Sequence, residues 1–564
     1  MFTGKDRQRA FYLLFFLILI LVFFLPFTEA MEKTFPLEKV KPGMKGYGCT
    51  VFSGTKIERF DVKVLALVDN NYNDEKLVLV QLAGKEIEAS GGLAAGMSGS
   101  PVYINNRLLG AISYGFENAD SSLALVTPID TMFKLFANED KFIKLADLSL
   151  KPVPVTTPVI ISGMRRRGYE LMANSLERYG LKSIFVPSLG ESNLELGKYE
   201  LKPGSAIAVL MVSGDYQVSA IGTVTMVEGK SFLAFGHPYT NRGNVNYFAY
   251  QANILHTVKS PVMSFKIGVP GKLIGRITQD RQAGILGKLT ELPEIIPVQV
   301  NVKDLERNFS RKSNFYVADN DLAVRDLIIS GVTDAIDQTI DRVGSGSATI
   351  KINIKTRDIK TDIHRENFYN GQDIAVNCQK DLRYLLDIIY LNDFIRIKVK
   401  NIQVDAEISD KQVSARVGKI ITDNTKVKPG GTLKVKTIIH TYRGENSVIP
   451  FEVKLPANIK PGKLTITIYG GSKDLSETQR EENKKNSFEL DYKNADSSND
   501  LIDNYLSNPG NNELILEYTP EINSKGEAVT KNQVENENKP IRLKYPTGYY
   551  LTGESQINIE VEQL

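Results

Sequence analysis

An eleven-residue stretch, GGLAAGMSGSP at residues 91–101, limits most strongly what this chain can fold into. It carries four glycines and no charged residue, and it lies between two apolar runs typical of strands, Leu77–Leu82 and Pro101–Ile104. A core strand would not carry so many glycines, because each one loses conformational entropy on folding and fills no space. The stretch is therefore predicted to be a tight loop that joins two strands and presents the hydroxyl of Ser98.

The Gly96-Met97-Ser98-Gly99 part of this loop has the composition that a nucleophilic serine needs. Its glycines let the backbone turn sharply, so that neighbouring N–H groups point at one spot. Such donors stabilise an oxyanion when they lie about 3 Å from it. Ser98 is the candidate nucleophile, and the N–H groups of Gly96 and Ser98 are the candidate oxyanion hole. A glycine-rich β-turn without chemistry is the alternative, since short Gly/Ser motifs are common.

Short strand-like runs separated by Gly, Asn and Asp turns recur on both sides of the loop. Their spacing favours small antiparallel barrels or sandwiches over βαβ units, and 564 residues are too many for one domain. The predicted segments are a signal peptide or N-terminal anchor (1–30), a β-barrel with the serine loop (31–150), a linker and helix (151–200), a second β-barrel with the histidine described next (201–302), a mixed α/β segment (303–400), an immunoglobulin-like β-sandwich (401–475) and a partly disordered tail with docking strands (476–564).

A base for Ser98 has to come from four histidines, at positions 237, 256, 364 and 440, unless a lysine serves. A histidine taken at random is more often a surface or capping residue. His237 differs because it follows the strand-like run Ser231–Phe235 and stands in a Gly-His-Pro turn. This setting fixes the backbone and directs the ring from the end of a strand, so His237 is the candidate general base.

The residues around both candidates resemble the stage IV sporulation protein B (SpoIVB) family of serine peptidases. The similar segments are IERFDVKV (57–64), the GGLAAGMSGSP loop, PVYINNRLLGAISY (101–114), FLAFGHP (232–238) and GRITQDRQAGILG (275–287). The resemblance implies a mainly β serine endopeptidase with two chymotrypsin-like β-barrel halves and a site in the cleft between them. In that family the histidine block comes before the serine block, whereas here Ser98 precedes His237. An exchanged barrel order can preserve the site, since such sites are defined by geometry and not by chain order. The alternative is that the two blocks do not form one site.

The acidic third member of the site is left open by the sequence. In the sporulation family an acid lies a little upstream of the Gly-Gly pair, and the corresponding position here is Ala83. The acidic candidates are Asp61, Glu86, Glu88, Asp120, Asp130 and Asp280. A Ser–His dyad, in which a backbone group or solvent orients the imidazole, is the alternative.

Charge and composition limit the partners. The 69 basic and 66 acidic residues give a net charge of +3, which provides no general attraction to nucleic acid. With two cysteines, a thiolate metal site is not expected, and neither a metal nor an organic cofactor is implied. The expected partner is a protein substrate. The rival interpretation is a non-catalytic cell-envelope pseudopeptidase that acts as a binding or scaffold protein. It is kept because the acid is unidentified and the order of the two blocks is altered.

Export is predicted from residues 1–30. Lys5, Arg7 and Arg9 precede the apolar run Phe11–Phe27, and a small-residue cleavage site ends at Ala30. The pattern is typical of a signal peptide, with an uncleaved anchor in the cytoplasmic membrane as the alternative. Both place the remaining chain outside the cytoplasm, where the family resemblance implies an exported or membrane-anchored substrate, as in sporulation-type signalling.

We expect N-terminal sequencing of the natively expressed protein to find Met31 as the first residue, or a full-length form in the membrane fraction. The charged start and the apolar run are the reason, because both direct a chain to the export machinery. Recovery of the full-length chain from the soluble cytoplasmic fraction would contradict this prediction.

Overall fold

The computed structural model describes residues 32–69, 76–116, 119–137, 152–155, 158–187, 194–197, 199–260, 264–320, 323–359, 361–472, 490, 492, 495–522 and 540–563. These residues form a mainly β protein, as the sequence predicts. The predicted signal peptide or anchor lies outside them. Within the described part of the chain, no helix is both long enough and apolar enough to cross a membrane.

The N-terminal region forms a closed barrel. Its elements are β1 (Lys45–Val51), β2 (Ile57–Asp69), β3 (Lys76–Ala83), α1 (Lys85–Ser90), β4 (Ala94–Ala95), β5 (Pro101–Ile104), β6 (Arg107–Phe116), β7 (Leu123–Pro128), α2 (Ile129–Phe133) and β8 (Pro152–Pro154). The sheet order is β5-β1-β2-β3-β7-β6-β8, and β5 also pairs with β6, so that six strands close the barrel. Along β2, Phe60, Val62 and Val64 face the core, because side chains of a strand alternate between its two faces.

A second ring of strands follows. Its region contains β9 (Val159–Ser162), α3 (Arg166–Glu177), β10 (Ser183–Val186), β11 (Ala206–Gly214), β12 (Gln217–Glu228), β13 (Ser231–Ala234), β14 (Gly243–Val258), β15 (Ser264–Arg281) and β16 (Gly284–Leu289). The order β12-β13-β16-β15-β14-β11 closes on itself, because β11 pairs with β12. The two closed rings are consistent with the predicted chymotrypsin-like barrels. Residues 151–200, predicted as linker and helix, also supply β8, β9 and β10, and β9 pairs with β12.

The mixed α/β segment extends the second sheet. It comprises β17 (Ile295–Asp304), β18 (Phe309–Ala318), α4 (Val324–Ile340), β19 (Gly346–Thr356), β20 (Ile363–Gly371), α5 (Ile374–Asn377), α6 (Lys380–Leu391) and β21 (Val399–Ser409). The sheet continues from β11 in the order β18-β17-β21-β19-β20. Nearly all of β21 falls within the range predicted for the sandwich, yet this strand pairs with β17 and β19 and belongs to the large sheet.

The C-terminal region contains two further sheets. Its elements are β22 (Ser414–Thr422), β23 (Lys426–Val427), β24 (Thr432–Thr441), β25 (Ser447–Lys454), β26 (Gly462–Gly470), α7 (Ser498–Leu506), β27 (Glu513–Tyr518), β28 (Ile541–Pro546), β29 (Tyr550–Thr552) and β30 (Glu554–Val561). The sheets β25-β24-β22-β29 and β23-β30-β26-β27-β28 share one hydrophobic cluster. The immunoglobulin-like topology is not confirmed and stays a prediction.

The serine loop lies where the two rings meet. Its short strand β4 pairs in parallel with the beginning of β15, at Ala94–Ser264 and Ala95–Phe265. Farther along the loop, the carbonyl of Ser98 accepts the N–H of Thr223 in β12 at 2.8 Å. The loop is therefore held by strands of the second ring as well as by those of its own barrel.

Gly99 marks the closest approach of the rings. Its φ is +88°, and a Cβ at this position would lie 1.9 Å from the carbonyl oxygen of Thr223 and 2.5 Å from the nitrogen of Phe235. Both of these atoms are backbone atoms, which cannot move aside as the end of a flexible side chain can. Only glycine fits here, so the glycine pattern of the loop serves the junction between the rings.

Gly99→Ala is expected to destabilise the protein much more than Gly180→Ala. Gly180 also has a positive φ, +76°, but nothing lies within 4 Å of an added Cβ. The control substitution should therefore cost only the left-handed backbone conformation, about 1–2 kcal/mol. Gly99→Ala adds a steric clash that should cost at least about 2 kcal/mol more. Urea unfolding measures both, and equal losses would contradict the close approach of the rings.

Candidate active site

The turn that carries Ser98 is fixed by backbone hydrogen bonds. The N–H of Met97 donates to the carbonyl of Ala94 at 2.9 Å, and that of Gly99 donates to the carbonyl of Ile112 at 2.7 Å. Ser98 between them is 0% exposed. Its Oγ has no hydrogen-bond partner among the described residues.

The second serine of the loop is engaged. The hydroxyl of Ser100 donates to the carbonyl of Met97 at 2.6 Å, within the turn itself. Ser100 therefore stabilises the loop, whereas the hydroxyl of Ser98 finds no partner in the described part of the chain.

His237 is delivered by a sharp turn at the end of β13. Phe235 and Gly236 both have a φ of 70°, which reverses the chain after the strand. The hydroxyl of Thr127 in the first barrel donates to the carbonyl of Gly236 at 2.7 Å and attaches this turn to that barrel. The His237 ring is fully buried, and its centroid lies 6.0 Å from that of the Tyr114 ring in β6.

The protonation state of His237 suits a general base. Its Nδ1 lies 2.8 Å from the carbonyl oxygen of Pro238, and because a carbonyl can only accept, Nδ1 carries the proton. The lone pair is thus on Nε2, which is buried and has no partner among the described residues. Burial lowers the pKa of His237 to about 4, and the bond to Pro238 opposes this shift in part. The ring is neutral at pH 7, as proton abstraction requires.

The structure brings the two candidate segments together. The N–H of Thr223 donates to the carbonyl of Ser98 at 2.8 Å, and its own carbonyl accepts the N–H of Phe235 at 3.3 Å. A single residue of β12 therefore separates the serine turn from the turn that delivers the histidine. No hydrogen bond joins Ser98 Oγ and His237 Nε2 among the described residues, so their pairing stays a prediction.

The other three histidines are exposed. His256 lies on β14. His364 and His440 lie on β20 and β24, where their Nδ1 atoms bond to Asn353 and Asn446. His237 is thus the buried histidine of the chain, and its role as the base for Ser98 stays a prediction.

Asp280 organises the loop after the histidine. Its buried carboxylate accepts the N–H groups of Tyr239 at 2.8 Å, Thr240 at 2.6 Å and Asn241 at 3.0 Å, and also the Thr240 hydroxyl. Burial raises the pKa of Asp280, while these hydrogen bonds oppose the shift.

Asp280 is therefore a positioning residue for the segment that follows His237. In the described part of the chain, no hydrogen bond reaches the His237 ring from the other acidic candidates, Asp61, Glu86, Glu88, Asp120 and Asp130. The Pro238 carbonyl is the group that bonds the imidazole, and the dyad considered from the sequence stays a prediction.

The two predicted oxyanion donors differ in their present bonding. The N–H of Gly96 donates to the carbonyl of Val155 at 3.2 Å. The N–H of Ser98 makes no hydrogen bond within the described ranges. One of the donors is thus occupied by a carbonyl of the chain itself.

A buried lysine beside the loop was not identified from the sequence. The Nζ of Lys266 in β15 donates to Thr50 Oγ1 at 2.7 Å and to the carbonyl of Gly96 at 3.3 Å, and it lies 5.9 Å from the ring centroid of Phe52. The side chain is fully buried, and burial lowers its pKa to about 7. Lys266 therefore donates a hydrogen bond to a carbonyl of the serine turn, and its amino group titrates near neutrality. In the sequence this residue is only a lysine in an alternating strand, and a lysine at such a position is usually exposed.

Comparison with protein families supports the resemblance of the segment that contains the serine loop. The family model described as SpoIVB peptidase S55 matches residues 28–133, which include α1, the serine loop and β6. The resemblance to this family is confirmed for that region, and it supports a serine peptidase of the SpoIVB type. The match does not extend to His237. No curated protein matches the chain, and within the described residues no cluster of three or more His, Cys, Asp and Glu could hold a metal ion.

The stability of the protein is expected to rise from pH 7 to 10 through Lys266. Its folded pKa lies near 7 and its ordinary value is 10.5, so in this range the unfolded chain binds one more proton than the folded chain. The free energy of unfolding then increases with pH, by up to about 1.4 kcal/mol per pH unit.

Urea unfolding of the wild type and Lys266→Met at pH 7, 8 and 9 measures this effect. The difference between the two should grow with pH, because the variant lacks the titrating group. Lys272→Met, an exposed lysine of the same strand, should run parallel to the wild type. A Lys266→Met curve that is also parallel would show that Lys266 does not titrate in its pocket.

Proposed function

We propose that this chain is an exported serine endopeptidase that cleaves protein substrates outside the cytoplasm, through a site made by Ser98 and His237. The substrate is an exported or membrane-anchored protein. The match to the SpoIVB peptidase S55 family supports the reaction class. The apolar N-terminal run supports the location.

In the proposed reaction, Ser98 Oγ attacks the carbonyl carbon of the scissile peptide bond while His237 Nε2 accepts the hydroxyl proton. The N–H groups of Gly96 and Ser98 stabilise the oxyanion that forms. Loss of one such donor costs roughly 3–4 kcal/mol of transition-state stabilisation. His237 then returns the proton to the leaving amine. Water attacks the acyl carbonyl while His237 Nε2 accepts a water proton, and His237 passes this proton to Ser98 Oγ as the bond from Oγ to the acyl group breaks.

The observation that carries the proposal is a pair of buried polar atoms left without partners at the junction of the rings. Ser98 Oγ and His237 Nε2 are both in this state. A buried polar group without a hydrogen bond costs about 1–3 kcal/mol, and native proteins keep few of them. Other buried side chains are in the same state, but these two atoms are a serine hydroxyl and a neutral imidazole nitrogen on segments that meet at Thr223, which is the combination that a nucleophile and its base require.

The Pro238 carbonyl takes the part that a carboxylate has in a triad. It accepts a hydrogen bond from Nδ1–H, with 2.8 Å between Nδ1 and the oxygen, and so fixes the tautomer in which Nε2 is basic. A carbonyl carries no full charge, so it stabilises the imidazolium less than a carboxylate would. The proposed site is therefore a dyad with a backbone orienting group, and Asp280 acts one step farther away through the loop that it anchors.

A fluorophosphonate probe tests the proposal, because it reacts only with an activated serine. Prolonged incubation with excess probe should label the wild type at Ser98, identified by peptide mass spectrometry. Ser98→Ala should abolish the label. His237→Ala should slow labelling by about 100-fold or more, since general-base assistance is worth roughly 10²–10⁴ in rate.

Ser100→Ala is the matched control, because it removes a hydroxyl from the same loop that is already bonded to Met97. It should retain the label. Equal labelling of the wild type and Ser98→Ala would reject the assignment, and a His237→Ala variant that labels at the wild-type rate would remove the proposed base.

A further inference from the structure

Two segments of the chain pair with the same edge of β6, and they meet beside Ser98. Up to Ile112 the partner is the serine loop: Gly99 N–H donates to the Ile112 carbonyl at 2.7 Å, and Ile112 N–H donates to the Ser100 carbonyl at 3.0 Å. From Ser113 onward the loop has turned away and β8 takes its place. The edge of β6 at 113–116 is thus a strand-binding position directly next to the candidate nucleophile.

The register of β8 leads its chain toward the serine turn. Its antiparallel pairs with β6 are Pro152–Phe116, Val153–Gly115 and Pro154–Tyr114. The next residue, Val155, donates its N–H to the Ser113 carbonyl at 2.9 Å and accepts the Gly96 N–H at 3.2 Å. The carbonyl of Val155 therefore occupies one of the two donors proposed for the oxyanion.

This arrangement is the one that a peptide substrate needs. Extended peptides bind by adding a strand to an exposed sheet edge, where main-chain bonds give affinity and side-chain pockets give specificity. The carbonyl that is attacked must bring its oxygen to the oxyanion donors. Residues 152–155 meet both requirements, with Val155 in the position before the bond that would be cleaved.

At the end of β8, one side chain lies in a pocket and its neighbour is exposed. Val155 is 0% exposed and belongs to the same hydrophobic cluster as Leu93, Met97 and Ile112. Pro154 is exposed. Alternate residues of an antiparallel strand bond to one neighbour, so the two prolines stand where an N–H is not needed by β6. The pocket under Val155 is apolar and suits a small aliphatic side chain.

We propose that residues 152–155 are an intramolecular inhibitor in the peptide-binding groove of the site, and that they must leave β6 before a substrate binds. The substrate is an extended peptide that pairs with Ser113–Phe116 and carries a small aliphatic residue in place of Val155. This inference rests on the proposed function and adds to it the regulation and the substrate class. It also accounts for the complete burial of Ser98 and His237, which no substrate could reach with the groove filled.

Val155→Asp tests the proposal, because a carboxylate is strongly disfavoured in the apolar pocket and should release β8. Labelling of Ser98 by a fluorophosphonate should become about tenfold faster or more than in the wild type. Val343→Asp makes the same substitution at a valine that is 63% exposed and lies outside β8, and it should label at nearly the wild-type rate. Mass spectrometry of each purified protein verifies that the chain is intact.

A second measurement does not depend on the folding of that variant. In Val155→Ala, a milder change, labelling should accelerate less, and the peptide aldehyde acetyl-Pro-Val-Pro-valinal should protect Ser98 from the probe. The same aldehyde ending in an aspartate analogue should protect poorly, because the pocket is apolar.

The outcomes separate this inference from the proposed function. Equal labelling rates in the wild type, Val155→Asp and Val155→Ala, or protection that does not depend on the last side chain, would overturn the inference and leave Ser98 as the nucleophile. No label at Ser98 in folded wild type and folded Val155→Ala would reject the nucleophile itself, and the inhibitor with it.

Discussion

The backbone contact at Gly99 is the constraint on which the rest of the site depends. Without a side chain at this residue, the serine loop approaches the Thr223 carbonyl and the Phe235 nitrogen closely enough for the two rings to share hydrogen bonds. Thr223 then connects the Ser98 carbonyl on one side to the turn before His237 on the other. Two segments that are 139 residues apart in the chain (237 − 98 = 139) are thereby brought together, although their order is the reverse of that in the sporulation proteins.

The burial that follows from this contact determines the chemistry of the junction. It keeps the His237 imidazole neutral, with a pKa of about 4, and it lowers the pKa of Lys266 to about 7. It also leaves Ser98 Oγ and His237 Nε2 without partners among the residues that the structure describes. Each of these is unfavourable for stability, and together they place several reactive groups at the junction of the rings. Such a conflict between stability and local structure is characteristic of functional sites.

The sequence predicted those features that depend on local backbone requirements. The glycines of 91–101 and the Gly-His-Pro turn at His237 were identifiable because positive φ and strand ends have compositional signatures. The mainly β class followed from the regular spacing of short strand-like runs. Lys266, Asp280 and Val155 were not assigned their roles. A lysine in an alternating strand, a carboxylate near the end of a strand and a valine in a proline-rich linker look ordinary until tertiary contacts bury them. The position of β21 was missed for the same reason, since pairing partners decide to which sheet a strand belongs.

A crystal structure of the protein after reaction with diisopropyl fluorophosphate tests the central claim most directly. Our account predicts phosphorus bonded to Ser98 Oγ, with the phosphoryl oxygen about 3 Å from the N–H groups of Gly96 and Ser98, and with His237 Nε2 within hydrogen-bond reach of Oγ. It also predicts that the Val155 carbonyl has left Gly96. Phosphorus on another residue, or an unmodified Ser98 with His237 more than about 10 Å away, would contradict the account.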